Sequence, residues 1–284
     1  MSLKIMVTGA GGQYGSLAID YIKKFNPNVK LYGLIHSPQK AEALKAKGVE
    51  PCLGDFNDKE SLVKVFQGID RLLFVSVPTP GVQKNVVDAA KECKIKFIAY
   101  TSIAQVDKTK FGLEVNHSQT EKWIKESGIP HTILRNSWYV DLNEGLLKAT
   151  QKTGRFLYTT DEGVISHALR REYAEAGAKV ILGENYPEIL NLARKATSYP
   201  ELAKVVEKAL GKKIEVKKVT PEEFEKYLTD AQVSQVGKMV SINMQKYVKD
   251  GNNGEELNTE EDFEKALGRP LEPYADIIKE YLSN

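Results

Sequence analysis

The feature that most constrains this chain is a glycine-rich turn, Val7-Thr8-Gly9-Ala10-Gly11-Gly12-Gln13-Tyr14-Gly15. It directly follows a short strand-like run and opens a segment with helical spacing of Leu17, Ala18, Tyr21 and Ile22. Glycines at 9, 12 and 15 permit a tight turn, close backbone approach to a pyrophosphate and close packing of helix on strand. The free amides of a helix N-terminus then face the anion. The turn therefore predicts a dinucleotide site formed by Gly9, Gly11, Gly12, Gln13, Tyr14 and Gly15. It carries neither the lysine nor the Ser/Thr of a Walker loop, which argues against a nucleotide triphosphatase.

The surrounding pattern says what the turn is embedded in. Strand-like runs recur at Lys4–Thr8, Val29–Ile35, Val49–Leu53, Arg71–Val77, Lys96–Ser102 and His131–Arg135, with helix-compatible stretches between them. Near-continuous apolar strands such as Leu72-Leu73-Phe74-Val75 suit a sheet covered on both faces, and the alternation suits right-handed βαβ units. The expectation is an α/β protein: a Rossmann-type doubly wound parallel sheet over residues 1–150, completed by segments from 155–195, and a smaller, mostly helical portion over 151–284. Ser198-Tyr199-Pro200-Glu201 predicts a capping box with proline at the first helical position, and Thr220-Pro221-Glu222-Glu223 repeats the device. Val236, Met239, Val240, Met244, Tyr247 and Val248 form an apolar stripe that packs on core or lid. Asp250–Gly254 reads as a loop, and Thr259–Leu267 as the last short helix.

Lys+Arg total 40 against Asp+Glu 38, which leaves no electrostatic footprint for nucleic acid. Cys52 and Cys93 are too few for a disulfide framework or a paired metal site, so no metal is expected. Met1-Ser2-Leu3-Lys4-Ile5 runs straight into a strand, and no stretch of about 18 apolar residues occurs. These points predict a cytoplasmic protein with a small-molecule partner, no membrane association, and no bar to a homodimer.

Residues at the strand ends discriminate among dinucleotides. An NAD site usually places Asp or Glu after the second strand. Here the run is His36-Ser37-Pro38-Gln39-Lys40, with no acid to repel a 2′-phosphate. His36, Ser37 and Lys40 thus favour NADP, with NAD still allowed. Asp55 and Phe56 after the third strand suit the adenine, and Ser76 and Val77 after the fourth suit the middle of the cofactor.

Taken together, Thr8–Gly15, Gly54-Asp55-Phe56, Lys96–Ser102, Thr120-Glu121-Lys122, Leu134–Tyr139, Arg170–Ala174 and Gly268-Arg269-Pro270 resemble the NmrA-like group of atypical short-chain dehydrogenases, in its quinone and triphenylmethane reductase branch. The resemblance implies a Rossmann domain, a smaller C-terminal substrate domain and a cleft between them. Thr101 and Ser102 fall in one of its motifs and join the expected cofactor contacts. Three departures stand out. His36 replaces the arginine usual in the quinone reductases, Gly11 replaces a threonine, and His117-Ser118-Gln119-Thr120-Glu121 occupies the place of the Tyr-x-x-x-Lys pair.

Without that pair, alcohol dehydrogenation is disfavoured. A quinone asks less, because an electron-poor ring accepts hydride and the resulting oxygen takes a proton from a modest donor. The expected function is direct hydride transfer from NADPH to a flat conjugated acceptor, without flavin. Asn136, Tyr139 and His117 are the candidate catalytic residues, and Trp138 and Tyr139 would stack the acceptor. For the two aromatics core packing is the competing role; for His117, whose ordinary pKa is near 6.5, it is a structural hydrogen bond. The alternative function is a non-enzymatic dinucleotide-binding redox sensor.

Overall fold

The computed structural model describes residues 2–251 and 253–283. Met1 and Asn252, which belong to segments interpreted above, lie outside them. Six strands succeed one another: β1 (Lys4–Val7), β2 (Lys30–Ile35), β3 (Glu50–Leu53), β4 (Arg71–Phe74), β5 (Phe97–Ile103) and β6 (His131–Asn136). A seventh, Ile189–Leu192, joins β6, giving the order Ile189–Leu192, β6, β5, β4, β1, β2, β3. All pairings are parallel. The winding reverses between β1 and β4, where a doubly wound sheet opens its ligand crevice.

Among the described residues there are twelve α-helices: α1 (Gln13–Phe25), α2 (Ala41–Ala46), α3 (Lys59–Phe66), α4 (Gln83–Glu92), α5 (Glu114–Ser127), α6 (Glu144–Thr153), α7 (Arg170–Leu182), α8 (Tyr199–Leu210), α9 (Pro221–Asp230), α10 (Gln235–Asp250), α11 (Glu261–Leu267) and α12 (Tyr274–Ser283). Alternate strand residues supply two different cores. Ile5, Val7, Leu73, Ala99 and Leu134 pack with α1, α7 and α11, whereas Met6, Leu72, Phe74, Ile98 and Tyr100 pack with α3, α4 and α5. Both faces are thus covered, which is why these strands are apolar along their whole length.

Helix α7 approaches α1 closely because its buried residues include the small Ala174, Ala176, Gly177 and Ala178. A Cβ at Gly177 would stand 2.3 Å from the Tyr14 hydroxyl oxygen. A third apolar core joins α6, α8, α9, α10 and α12 and includes Val140, Leu147, Phe156, Tyr199, Phe224 and Ile278.

Several local expectations change. Ser198 caps α8 as expected, but Tyr199 is the first helical residue, so Pro200 takes the second position. Of the α10 stripe, Met244, Tyr247 and Val248 are buried, whereas Val236 and Met239 are 67% and 55% exposed. Helix α10 runs on to Asp250, into the expected loop. Thr259–Leu267 is not the last helix: α12 follows it, burying Ala275, Ile277 and Ile278.

Candidate active site

The first strand-to-helix turn is shaped by steric necessity. Gly9 sits at φ +58°, a left-handed conformation open to glycine at little cost, and a Cβ at Gly15 would lie 2.4 Å from the Gly9 carbonyl oxygen. Gly12 differs. Its backbone is extended, with φ −93° and ψ 172°, and it caps α1 without a side-chain hydrogen bond. The first-turn amides of α1 therefore have no side-chain acceptor and remain available to an anion. Thr8 fastens the turn to the end of β4, its hydroxyl accepting from Val75 N at 2.8 Å and donating to Val75 O at 3.1 Å. Gln13 is exposed, whereas Tyr14 is buried and donates its hydroxyl to Tyr173 O at 3.1 Å.

Strand β4 ends at Phe74, so Ser76 and Val77 lie beyond it, pinned by side chains. Ser76 N donates to Thr101 Oγ1 at 2.9 Å, and Asn116 Nδ2 donates to Val77 O at 2.9 Å. Val77 N donates to Gln83 Oε1 at 3.1 Å, which fixes the orientation of that amide. Gln83 Nε2 can then donate to Tyr100 Oη at 3.2 Å and to Thr120 Oγ1 at 2.8 Å. The arrangement that uses every donor has Tyr100 donate to His117 Nδ1 at 3.0 Å, leaving the imidazole proton on Nε2. Burial pushes His117 down to about 4, so the ring is neutral at neutral pH.

A cavity of about 550 Å³ lies at the carboxyl ends of β4, β5 and β6 and is bordered by α10. Its wall includes Tyr14, Ser76, His117, Asn136, Trp138 and Tyr139. The register Ile103↔Asn136 and Leu192↔Asn136 brings three strand ends level around Asn136. Asn136 is 5% exposed and neither of its amide atoms has a close hydrogen-bond partner, although the amide is near enough to the Tyr14 and Tyr139 hydroxyls to pull both phenols slightly down. Leaving such a group unpaired costs about 1–3 kcal/mol, so this is a polar group poised for a ligand. Beside it, burial raises both the Tyr14 and Tyr139 phenols, Arg170 partly offsetting the effect on Tyr139. The Arg170 guanidinium lies 3.9 Å from the Tyr139 ring centroid. Trp138 meets Phe111 and Tyr247 edge-on, with centroids 4.8 and 4.9 Å away, and its Nε1 donates to Glu255 Oε1 at 2.7 Å.

The sequence profile of the NmrA-like family matches residues 1–274. The chain belongs to that family. It is 34% identical to quinone oxidoreductase 2 of Escherichia coli over 226 residues, 78% of this chain and 79% of that one. The triphenylmethane reductase of Citrobacter sp. complexed with NADP(H) superposes with a TM-score of 0.85 at 32% identity, covering 97% of this chain and 99% of that one. The NADPH-dependent quinone oxidoreductase of Escherichia coli complexed with NADPH gives a TM-score of 0.84 at 30% identity, covering 99% and 100% of the two chains.

Within this NmrA-like chain, one departure noted in the sequence, Gly11, is linked to a residue expected in the cofactor site, Lys40. Lys40 lies across the glycine turn and donates to Gly11 O at 2.9 Å. A Cβ at position 11 would meet Lys40 Cδ at 2.3 Å, so glycine there makes room for this lysine. His36 and Lys40 are exposed and Ser37 half-buried on the same edge. Asp55 is exposed and accepts from Asn57 N and Nδ2 at 2.8 and 2.9 Å, which lowers its carboxyl. Phe56 is half-buried against Phe74.

Ser102 lines the cavity, but its hydroxyl is turned to Glu121 Oε1 at 2.6 Å, and Glu121 is paired with Arg135. Sequence reasoning missed Gln83, Tyr100, Asn116 and Glu255. Gln83, Asn116 and Glu255 lie in no recognisable motif, Tyr100 lies within Lys96–Ser102 but reads there only as strand, and each matters through a tertiary partner. A larger depression of about 840 Å³ opens at the opposite, amino ends of the strands, around Lys4, Asp70, Arg71 and Lys96, away from the glycine turn.

Proposed function

We propose that this protein is an NADPH-dependent oxidoreductase that transfers hydride directly to a quinone or similar flat conjugated acceptor. The observation that carries the reading is Asn136, a buried amide with no close hydrogen bond, set between the Tyr14 and Tyr139 hydroxyls in a cavity that also contains Trp138 and adjoins the glycine turn. The named activities of the similar reductases support the same reading.

In this reading the dinucleotide part spans residues 1–150 with Ile189–Leu192, and the remainder supplies the acceptor side. Gly9, Gly11, Gly12, Gln13, Tyr14 and Gly15 hold the pyrophosphate, and His36, Ser37 and Lys40 favour the 2′-phosphate. Asp55 and Phe56 border the adenine, while Ser76, Val77, Thr101 and Ser102 line the path to the nicotinamide. When bound, NADPH supplies a hydride from C4 of its ring, and no flavin intervenes. Asn136 orients the nicotinamide amide or the acceptor carbonyl, and Tyr139, held by Arg170, sets the plane against which the acceptor lies. His117, neutral and fixed through Nδ1, offers an Nε2 proton as a hydrogen-bond donor rather than as an acid.

The test is steady-state oxidation of NADPH and NADH by purified protein with a panel of quinones and no added flavin. Turnover is expected, faster with NADPH. Tight dinucleotide binding without turnover of any acceptor would replace the enzyme reading with the sensor reading.

A further inference from the structure

Reduction of a quinone needs one hydride and, for the oxygen that gains negative charge, one proton. The conventional tyrosine acid is absent, so the proton source must lie elsewhere. Glu255 follows Gly254 at φ +80° and opens a short 3-10 turn, Glu255–Leu257, which brings its side chain into the cavity wall. It is 2% exposed. Its Oε1 accepts from Trp138 Nε1 at 2.7 Å and from Tyr247 Oη at 3.1 Å, and its Oε2 accepts from Ser166 N at 2.9 Å and Asn258 Nδ2 at 3.0 Å.

No cation is among these partners. Facing it are Tyr247 from α10 and, close enough to sense its charge, Tyr173 from α7. The cavity's guanidinium, Arg170, is paired with Asp141. A carboxylate buried without a counter-ion is costly, and this outweighs the four donated hydrogen bonds, which by themselves favour the carboxylate. Tyr247 can exchange roles with it: its hydroxyl also lies 3.0 Å from Thr109 Oγ1, so it can donate to Thr109 while accepting from a protonated Glu255. Tyr247 also lines a second, open pocket with Lys110, Lys246 and Asn253, so it stands between Glu255 and solvent.

We propose that Glu255 is the acid that protonates the reduced acceptor, recharged from solvent by way of Tyr247. This rests on the hydride-transfer function proposed above. Hydride adds two electrons to the quinone and leaves an anionic oxygen; a new O–H bond forms there as the Glu255 O–H bond breaks, and solvent returns the proton. Burial raises the Glu255 carboxyl to about 7, which keeps a usable fraction protonated near neutral pH.

The experiment exploits an acceptor that needs no proton. A cationic triarylmethyl dye becomes neutral on taking a hydride, so its reduction is blind to an acid, while any displacement of Trp138 would slow both substrates. Glu255→Gln should lower quinone turnover at pH 6 about 100-fold, the order expected for losing a general acid. It should also abolish the fall in quinone turnover above pH 7 and leave dye reduction within about threefold. Glu255→Asp, which keeps a carboxyl, should retain the fall with a reduced rate. In the protein without dinucleotide, infrared difference spectra between pH 5 and 9 should show a protonated-carboxyl band that Glu255→Gln removes. Equal losses on quinone and dye, or an unchanged quinone pH profile in Glu255→Gln, would overturn the proposal while leaving hydride transfer standing. A wild type that reduces no acceptor would overturn both.

Discussion

Substituting Gly12 by valine separates the two duties of the glycine turn. The backbone there is extended and suits a β-branched residue, and an added Cβ would stand 3.2 Å from Gly9 O, a contact relieved by a few tenths of an ångström. Replacing glycine also removes freedom from the unfolded chain, worth about 0.4–1 kcal/mol in favour of the fold. The two effects nearly offset, so Tm should move by no more than about 3 °C. Binding has no such compensation, because the isopropyl group stands where a pyrophosphate must approach the amides.

Losing two charge-assisted hydrogen bonds at about 1.5–3 kcal/mol each weakens the Kd by about 10² to 10⁴. Gly15→Ala is the contrasting control: its Cβ would meet Gly9 O at 2.4 Å and Gly9 C at 2.8 Å, both backbone atoms. That overpacking should cost about 1–3 kcal/mol of stability as well as binding. Calorimetric titration with NADPH and thermal unfolding measure the two quantities. A Gly12→Val protein that binds NADPH within about threefold of wild type would refute the assignment of the turn.

His36→Asp should shift the ratio of NADPH to NADH affinity toward NADH, and Lys40→Ala should do so through loss of a cation; unchanged ratios in both would remove this edge from cofactor selection. Asn136→Ala and Tyr139→Ala should lower quinone turnover substantially, whereas His117→Ala should cost less than about 100-fold, since a ring held down to about 4 is not an obligatory acid. Near-complete loss in a His117→Ala variant that still binds NADPH would contradict this. Stability should also carry a histidine signature in acid. Burial holds His167 at about 3 and His117 at about 4, against about 6.5 unfolded, so below pH 6.5 the unfolded chain takes up protons the native state refuses. Their contribution is full above pH 6.5 and falls by about 2 kcal/mol each between pH 7 and 5. Glu255, raised to about 7, acts with the opposite sign over the same range, so urea titrations should compare wild type with His167→Gln. Equal pH slopes for the two proteins would show that His167 is not held neutral.

The sheet was legible because its constraints are local and periodic. Leu72-Leu73-Phe74 serves two cores at once and must be apolar throughout, and Gly9 and Gly15 answer to backbone geometry within a few residues. The seventh strand, Ile189–Leu192, could be placed only within a broad segment, because four residues after a proline carry little periodicity. Helix α12 was missed although Ile277, Ile278, Tyr281 and Leu282 have helical spacing; the Gly268 and Pro270 stop suggested an end. The site divides in the same way. The turn and Asn136 sit where a strand ends, which a sequence reveals. Gln83 and Glu255 matter through side-chain partners that no local pattern announces, such as Tyr100 and Trp138.

The same environment that hides these residues from the sequence narrows the chemistry. Burial raises the phenols of Tyr14 and Tyr139 and lowers His117, so three of the polar groups in the cavity wall hold a fixed protonation state across neutral pH. Arg170 is paired with Asp141. A saturated ketone would become an alkoxide, a base too strong to form without an acid delivering its proton during hydride transfer. A quinone yields a far weaker oxyanion, and a cationic dye yields none. In the function proposed here, the cavity favours acceptors that demand little proton at the moment of reduction, and its aromatic wall favours flat ones. Absence of the Tyr-x-x-x-Lys pair goes, on this view, with a different substrate class: the protein positions a hydride and leaves the easier proton to a buried acid.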